Sequence, residues 1–124
     1  MKIEEFFQSY HTIDVALDPI PYNGGTTTCD ALWMGVPVIT LEGHNFCSRM
    51  SHSLLHTVDL EDFSAKTEIE YVRIAKALAS DVSRLQTIRQ TLRDKMMSSS
   101  LCDGVVAAKE LEVAYRNAWQ DFCN

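Results

Sequence analysis

Apolar residues recur along the chain with two different periods. Ile3, Phe6, Phe7 and Tyr10 are spaced for one face of a short helix. From Ile13 to Asp18 apolar and polar positions alternate in part, strand formers are frequent, and Pro19 and Pro21 halt the segment. Beyond the loop that follows, Thr26 to Met34 fits a helix with Ala31, Leu32 and Met34 turned inward, and Gly35 stands where its C-terminal cap is expected. Val36-Pro37-Val38-Ile39-Thr40-Leu41 is a short, nearly continuous apolar run, the pattern of a parallel strand buried on both faces. Strand, loop, helix and strand in that order make a βαβ unit.

The remainder reads as helical. A polar loop from Glu42 to Cys47 precedes a helix from Ser48 to about His56, with Met50, Leu54 and Leu55 on one side. From Glu68 onward Tyr71, Val72, Ala75, Leu78 and Ala79 share a face, then Val82, Leu85, Ile88, Leu92 and Met96 do the same, with Asp81 a break between two helices. After Ser98-Ser99-Ser100, Asp103 is a good N-cap for a last helix whose stripe of Ala108, Leu111, Tyr115, Ala118, Trp119 and Phe122 is expected to face the body.

The expected class is therefore α/β: a portion of a Rossmann-like parallel sheet over residues 1–66, with helices of residues 67–124 packing on the same domain. Only two strands are evident, whereas an open sheet usually has about five or six. The simplest explanation is that this chain is the last part of a larger α/β domain. Uncovered sheet edges or faces would then favour self-association.

With 46% hydrophobic residues among 124, the chain has enough apolar surface for a core. Its formal net charge of -6 argues against nucleic-acid or anionic-membrane partners, which reward clustered Lys and Arg. No apolar run approaches the ~20 residues that span a bilayer, and Met1-Lys2-Ile3-Glu4-Glu5 lacks the apolar stretch of a signal peptide, so a cytoplasmic protein is expected. Cys29, Cys47, Cys102 and Cys123 have neither zinc-site spacing nor the density of a disulfide scaffold, and are expected to be reduced and mostly buried.

The segment that carries chemistry is Asn23-Gly24-Gly25-Thr26-Thr27-Thr28-Cys29-Asp30. In an open parallel sheet, ligands bind beyond the carboxyl ends of the strands, and this loop lies there. Glycines let a ligand approach the backbone, and the threonines offer amides and hydroxyls at a helix N-terminus, which carries about half a positive charge. Asp30, about one turn further in, could accept hydrogen bonds from ribose hydroxyls. A structural reading stands beside this one, because Thr27-Thr28-Cys29-Asp30 also matches the pattern of a capping box.

The run from Asp14 through Asp18-Pro19, Asn23-Gly24-Gly25-Thr26-Thr27-Thr28-Cys29-Asp30 and Val36-Pro37-Val38-Ile39-Thr40-Leu41 closely resembles the C-terminal region of the O-GlcNAc transferase and SPINDLY-like family, glycosyltransferase family 41. The likeness continues through Gly43, Ser48-Arg49 and Ser53-Leu54-Leu55, and returns at Glu112 to Trp119. It implies the donor-binding lobe of a two-lobed GT-B enzyme that transfers a sugar from a nucleotide, GlcNAc from UDP-GlcNAc or fucose from GDP-fucose, to a protein hydroxyl. It also implies that Gly25, Thr26, Thr27 and Thr28 meet the donor diphosphate and that Asp30 meets the ribose. No metal and no cofactor beyond the donor are expected, nor a catalytic residue in this segment. Human-type members have a histidine at the position of Gly25, so one side-chain donor is absent here. The protein acceptor and the base would be met by parts of the family's proteins that these residues do not include, and this segment alone is expected to be inactive.

Other residues invite functional readings that simpler ones rival. Arg49 either faces the donor phosphates or anchors its loop through a carboxylate. His44, His52 and His56 make no metal trio with the cysteines. His11 is expected to be partly buried, and Trp33 and Cys29 to pack in the core.

Overall fold

The structure, a computed structural model, describes residues 2–124. A short helix α1 (Ile3–Ser9) and a single 3-10 turn lead into strand β1 (Ala16–Leu17). Helix α2 (Thr26–Trp33), strand β2 (Val38–Leu41) and helix α3 (Met50–Thr57) follow, then strand β3 (Ser64–Ala65) and helices α4 (Glu68–Ala79), α5 (Val82–Ser98) and α6 (Gly104–Cys123). The expected α/β class holds, and the strands run parallel in the order β1-β2-β3.

Ala16 pairs with Val38 and Leu17 with Ile39, while Thr40 pairs with Ser64 and Leu41 with Ala65. β2 thus lies between two neighbours. Val38, Ile39 and Thr40 are buried, so successive residues on opposite faces are both covered, as the apolar run implies. β1 is shorter than the expected span from Ile13 to Asp18, and Leu17 is 59% exposed at the sheet edge. β3 is a third strand with no apolar run to announce it.

The core forms where α2, α3, α4 and α5 meet the sheet. Leu32 of α2, Ile39 of β2, Leu55 of α3 and Leu92 of α5 are each 1% exposed or less. Burying such side chains stabilises a fold by about 1.5–3 kcal/mol each. α5 contributes Ile88, Leu92 and Met96, four residues apart and hence on one helical face. Gly35 ends α2 at φ +78°, and a Cβ there would lie 2.8 Å from the backbone oxygen of Arg89, so α5 packs against a position open only to glycine. The expected C-terminal cap is confirmed.

Helix α6 departs from expectation. It starts on Asp103, as its sequence indicates, but none of its residues is buried, and Trp119 and Phe122 are 65% and 82% exposed. Of the helices beyond residue 67, α4 packs on β2 and β3, and α5 packs against α2 and α4. The apolar stripe of α6 covers nothing among the described residues. Cys102 and Cys123 are likewise exposed, with Cys29 and Cys47 only half-buried, so the cysteines are free but not mostly buried. No described helix is long and apolar enough to cross a membrane.

Candidate functional site

The loop from Asp18 to Gly25 leaves the carboxyl end of β1 and delivers the chain to the start of α2. Its backbone is held by buried polar groups. Asp18, only 5% exposed, accepts the Gly24 N–H at 2.7 Å on Oδ1 and the Thr40 hydroxyl at 2.6 Å on Oδ2. Asn23 donates its N–H to the carbonyl of Cys47 at 2.9 Å, tying the loop to the segment after β2. Ser51 of α3 bonds Gly24 O at 3.0 Å and Thr28 Oγ1 at 2.8 Å. Tyr71 of α4 donates its hydroxyl to the backbone oxygen of Asp18 at 3.0 Å. Burial, and secondarily the charge of Asp18, pushes the Tyr71 phenol up from its ordinary range.

The N-cap of α2 is Gly25, which has no side chain to offer, and the capping box suggested by Thr27 and Asp30 is not formed. Thr27 lies inside the helix instead. The first intrahelical bond at this end is Cys29 N–H to Gly25 O at 3.1 Å. The amides of Gly25, Thr26, Thr27 and Thr28 donate no hydrogen bond among the described residues. Four N–H groups at the positive end of a helix therefore lack a partner among the described residues, and such groups can serve an anion.

The three threonines divide by helical rotation. Thr26 and Thr27 are exposed, and their hydroxyls bond nothing among the described residues, whereas Thr28 is 3% exposed and commits its hydroxyl to Ser51. Thr28 accordingly keeps only its amide for a ligand, which corrects the expectation that all three present side chains. Gly24 shows how tightly the hydroxyls close in, since a Cβ there would lie 2.5 Å from Thr28 Oγ1 and 2.7 Å from Thr27 Oγ1. Gly25 is less confined. Its φ of -114° suits any residue, and a Cβ would meet only the Met50 methyl at 3.1 Å.

Asp30 follows Thr26 by four residues and so lies one turn along the same face, half-buried. Its carboxylate sits near Tyr10 and Cys29, where it adds to the effect of burial in pushing both groups up. Burial first, and the charge of Asp30 second, hold the Cys29 thiol above its ordinary range. Trp33 is 37% exposed beneath Arg93, whose guanidinium lies 5.1 Å from the ring centroid, rather than in the core. Arg49 pairs with Glu42 at 3.0 Å and so anchors the loop after β2. His52 bonds Ser64 Oγ through Nδ1 at 2.9 Å, and His11 is exposed rather than partly buried. Among the described residues no three His, Cys, Asp or Glu side chains are grouped to hold a metal.

The space beside the loop is a shallow cleft of about 200 Å³ bounded by Leu17, Asp18, Pro19, Thr27 and Thr28. Larger clefts, of about 680 and 410 Å³, lie away from it, against Val15 and Arg89 and against Phe63 and Arg73. Small-molecule pockets usually enclose about 300–1,000 Å³, so the loop forms one wall rather than a closed site.

A parallel sheet with an uncapped helix N-terminus beyond a strand's carboxyl end is the place where open α/β folds commonly bind their ligands. The model of glycosyl transferase family 41 matches residues 2–111, and the chain belongs to that family. It is 46% identical over 119 residues to the probable UDP-N-acetylglucosamine–peptide N-acetylglucosaminyltransferase SPINDLY of Eustoma exaltatum subsp. russellianum, covering 96% of this chain and 13% of that protein. The UDP-N-acetylglucosamine–peptide N-acetylglucosaminyltransferase of Caenorhabditis elegans is 32% identical, with 96% of this chain and 10% of the relative covered. A solved Thermobaculum terrenum O-GlcNAc transferase mutant superposes with a TM-score of 0.86 at 43% identity, covering 98% of this chain and 23% of that one. The chain thus spans 13% or less of the length of these two curated relatives.

Sequence reasoning singled out the loop but missed the residues that hold it. Asp18, Thr40 and Ser51 come from three separate segments. An acid, Asp18, at a strand end and followed by Pro19 and Pro21 was the one available signal.

Proposed function

We propose that this chain forms the donor-diphosphate wall of a protein O-glycosyltransferase. The observation that carries the reading is the row of four free amides from Gly25 to Thr28 at the start of α2, within the segment matched by the family. Those amides, with the hydroxyls of Thr26 and Thr27, bind the two phosphates, and Asp30 accepts hydrogen bonds from the ribose one turn further along. UDP-GlcNAc, the donor in the names of the relatives, is the substrate this reading assigns, with a protein hydroxyl as acceptor.

The chemistry asked of these residues is electrostatic. As the bond between the sugar's anomeric carbon and the diphosphate oxygen breaks, its electron pair leaves with the nucleoside diphosphate, and the acceptor oxygen bonds to that carbon. Donors already aimed at the departing oxygens stabilise the new charge without reorganising. The amides supply this with no metal, and the acceptor supplies the nucleophile. Groups outside these residues hold the base and the acceptor, so this segment alone transfers no sugar.

Calorimetry with UDP and GDP tests the reading. Heat with UDP that disappears when Thr26 and Thr27 are both changed to Ala supports it. Folded protein that gives no heat with either nucleotide at millimolar concentration overturns it. The free edges of β1 and β3 are also proposed to pair with further strands, and a clean monomer by light scattering would count against that.

A further inference from the structure

The buried groups around Gly24 admit one direction of hydrogen bonding. A carbonyl oxygen only accepts, so the bond between Ser51 Oγ and Gly24 O uses the one proton of the Ser51 hydroxyl. Ser51 must then accept in its bond with Thr28 Oγ1, and Thr28 is the donor there. On the other side, both oxygens of Asp18 accept, one from Gly24 N–H and one from Thr40. Asp18, Thr28, Thr40 and Ser51 are all 5% exposed or less, so water does not compete for these bonds.

Gly24 is therefore gripped at both ends, its N–H by Asp18 and its carbonyl by Ser51. The Gly24–Gly25 peptide is trans, and a trans peptide points its C=O and N–H in opposite directions. With the Gly24 carbonyl turned to Ser51, the Gly25 N–H of the same unit is turned away from it. That N–H is one of the four that donate to nothing among the described residues.

We propose that Asp18 and Ser51 are positioning residues for the anion site, orienting the Gly24–Gly25 peptide so that the Gly25 N–H, followed by that of Thr26, faces a diphosphate. Thr28 supports them by fixing which way the Ser51 proton points. This inference rests on the nucleoside-diphosphate reading of the loop. Neither residue need touch the ligand.

The test is amide NMR of the chain titrated with inorganic pyrophosphate and with UDP. In the parent protein both ligands shift the Gly25 and Thr26 amide resonances. Ser51→Ala weakens pyrophosphate affinity by about tenfold, equivalent to ~1.4 kcal/mol. Position 28 separates positioning from packing, because Val keeps the shape of Thr without its hydroxyl and Ser keeps the hydroxyl without the methyl. Positioning ranks Thr28→Ser above Thr28→Val in pyrophosphate affinity. The reverse order, or equal affinity in the parent and Ser51→Ala, overturns the proposal. If the parent's Gly25 and Thr26 resonances ignore both ligands, the nucleotide reading fails instead. The peptide orientation is then still decided by whether Ser51→Ala moves the ligand-free Gly25 amide resonance, and an unmoved resonance refutes it.

Discussion

Helices α2 and α3 begin without a side-chain cap, whereas α4, α5 and α6 begin on Thr67, Asp81 and Asp103, each accepting backbone N–H groups on its side chain. A cap satisfies an orphan donor and typically stabilises a helix by ~1 kcal/mol. The helical half of the chain takes that stabilisation three times. The α/β half leaves it out at α2 and α3, which follow β1 and β2, although α4, which follows β3, has it, and at α2 the cap position is a glycine. The difference separates helix starts that only need to be stable from one that keeps its donors free.

Four variants press on this contrast. Changing Thr26 and Thr27 together to Ala has the largest expected effect, on binding alone. Hydroxyl bonds to a charged ligand contribute roughly 1.5–3 kcal/mol each, so UDP affinity by calorimetry should fall about 100-fold or more. Unfolding midpoints should hold within ~0.5 kcal/mol, as for other surface changes. A large loss of stability would mean that α2 is an ordinary structural helix start.

Asp103→Ala should instead cost about 1 kcal/mol, visible as fraying of α6 by circular dichroism with no change in UDP affinity. Tyr71→Phe breaks the bond between α4 and the Asp18 carbonyl, at roughly 0.5–1.5 kcal/mol. Its pH dependence follows from sign. Because folding raises the Tyr71 phenol above its ordinary value, the proton is held more tightly when folded. That stability is complete below the unfolded value and is lost as pH rises through the folded one. Alkaline denaturation curves of the parent and of Tyr71→Phe should converge as pH rises through the raised folded value, and curves that stay parallel would remove Tyr71 from the link.

The smallest effect on stability is expected for Gly25→Ser, which supplies α2 with the missing cap. The helix should gain only a few tenths of a kcal/mol, because glycine is already a tolerable cap. UDP affinity should drop as the new hydroxyl occupies the amides. An unchanged affinity would show that the amides are not the binding groups.

Periodicity made β2, α2, α4 and α5 legible, since their burial is decided by neighbours close in sequence and by a continuous apolar face. It made α6 legible as a helix, but its stripe says only that something covers it, and no described residue does. β3 escaped because two residues, Ser64 and Ala65, hold too little pattern to mark a strand. The loop was recognisable by its glycines and threonines. Which threonine turns inward depends on where the helix begins, and Gly24, just before that start, is held by Asp18 six residues back and by Ser51 of α3.

The parallel sheet also shapes how this chain reaches its fold. Ala16 pairs with Val38 and Thr40 with Ser64, partners 22 and 24 residues apart. No ladder can close as a local hairpin, so each must wait for a crossover helix to form and dock before its backbone bonds reward the ordering of the loop. The loop from Asp18 to Gly25 matures only when both crossovers are engaged, because Gly24 is held by Asp18 at the end of β1 and by Ser51 of α3, which belongs to the second. The candidate site is therefore assembled together with the sheet, and is complete only when the sheet is.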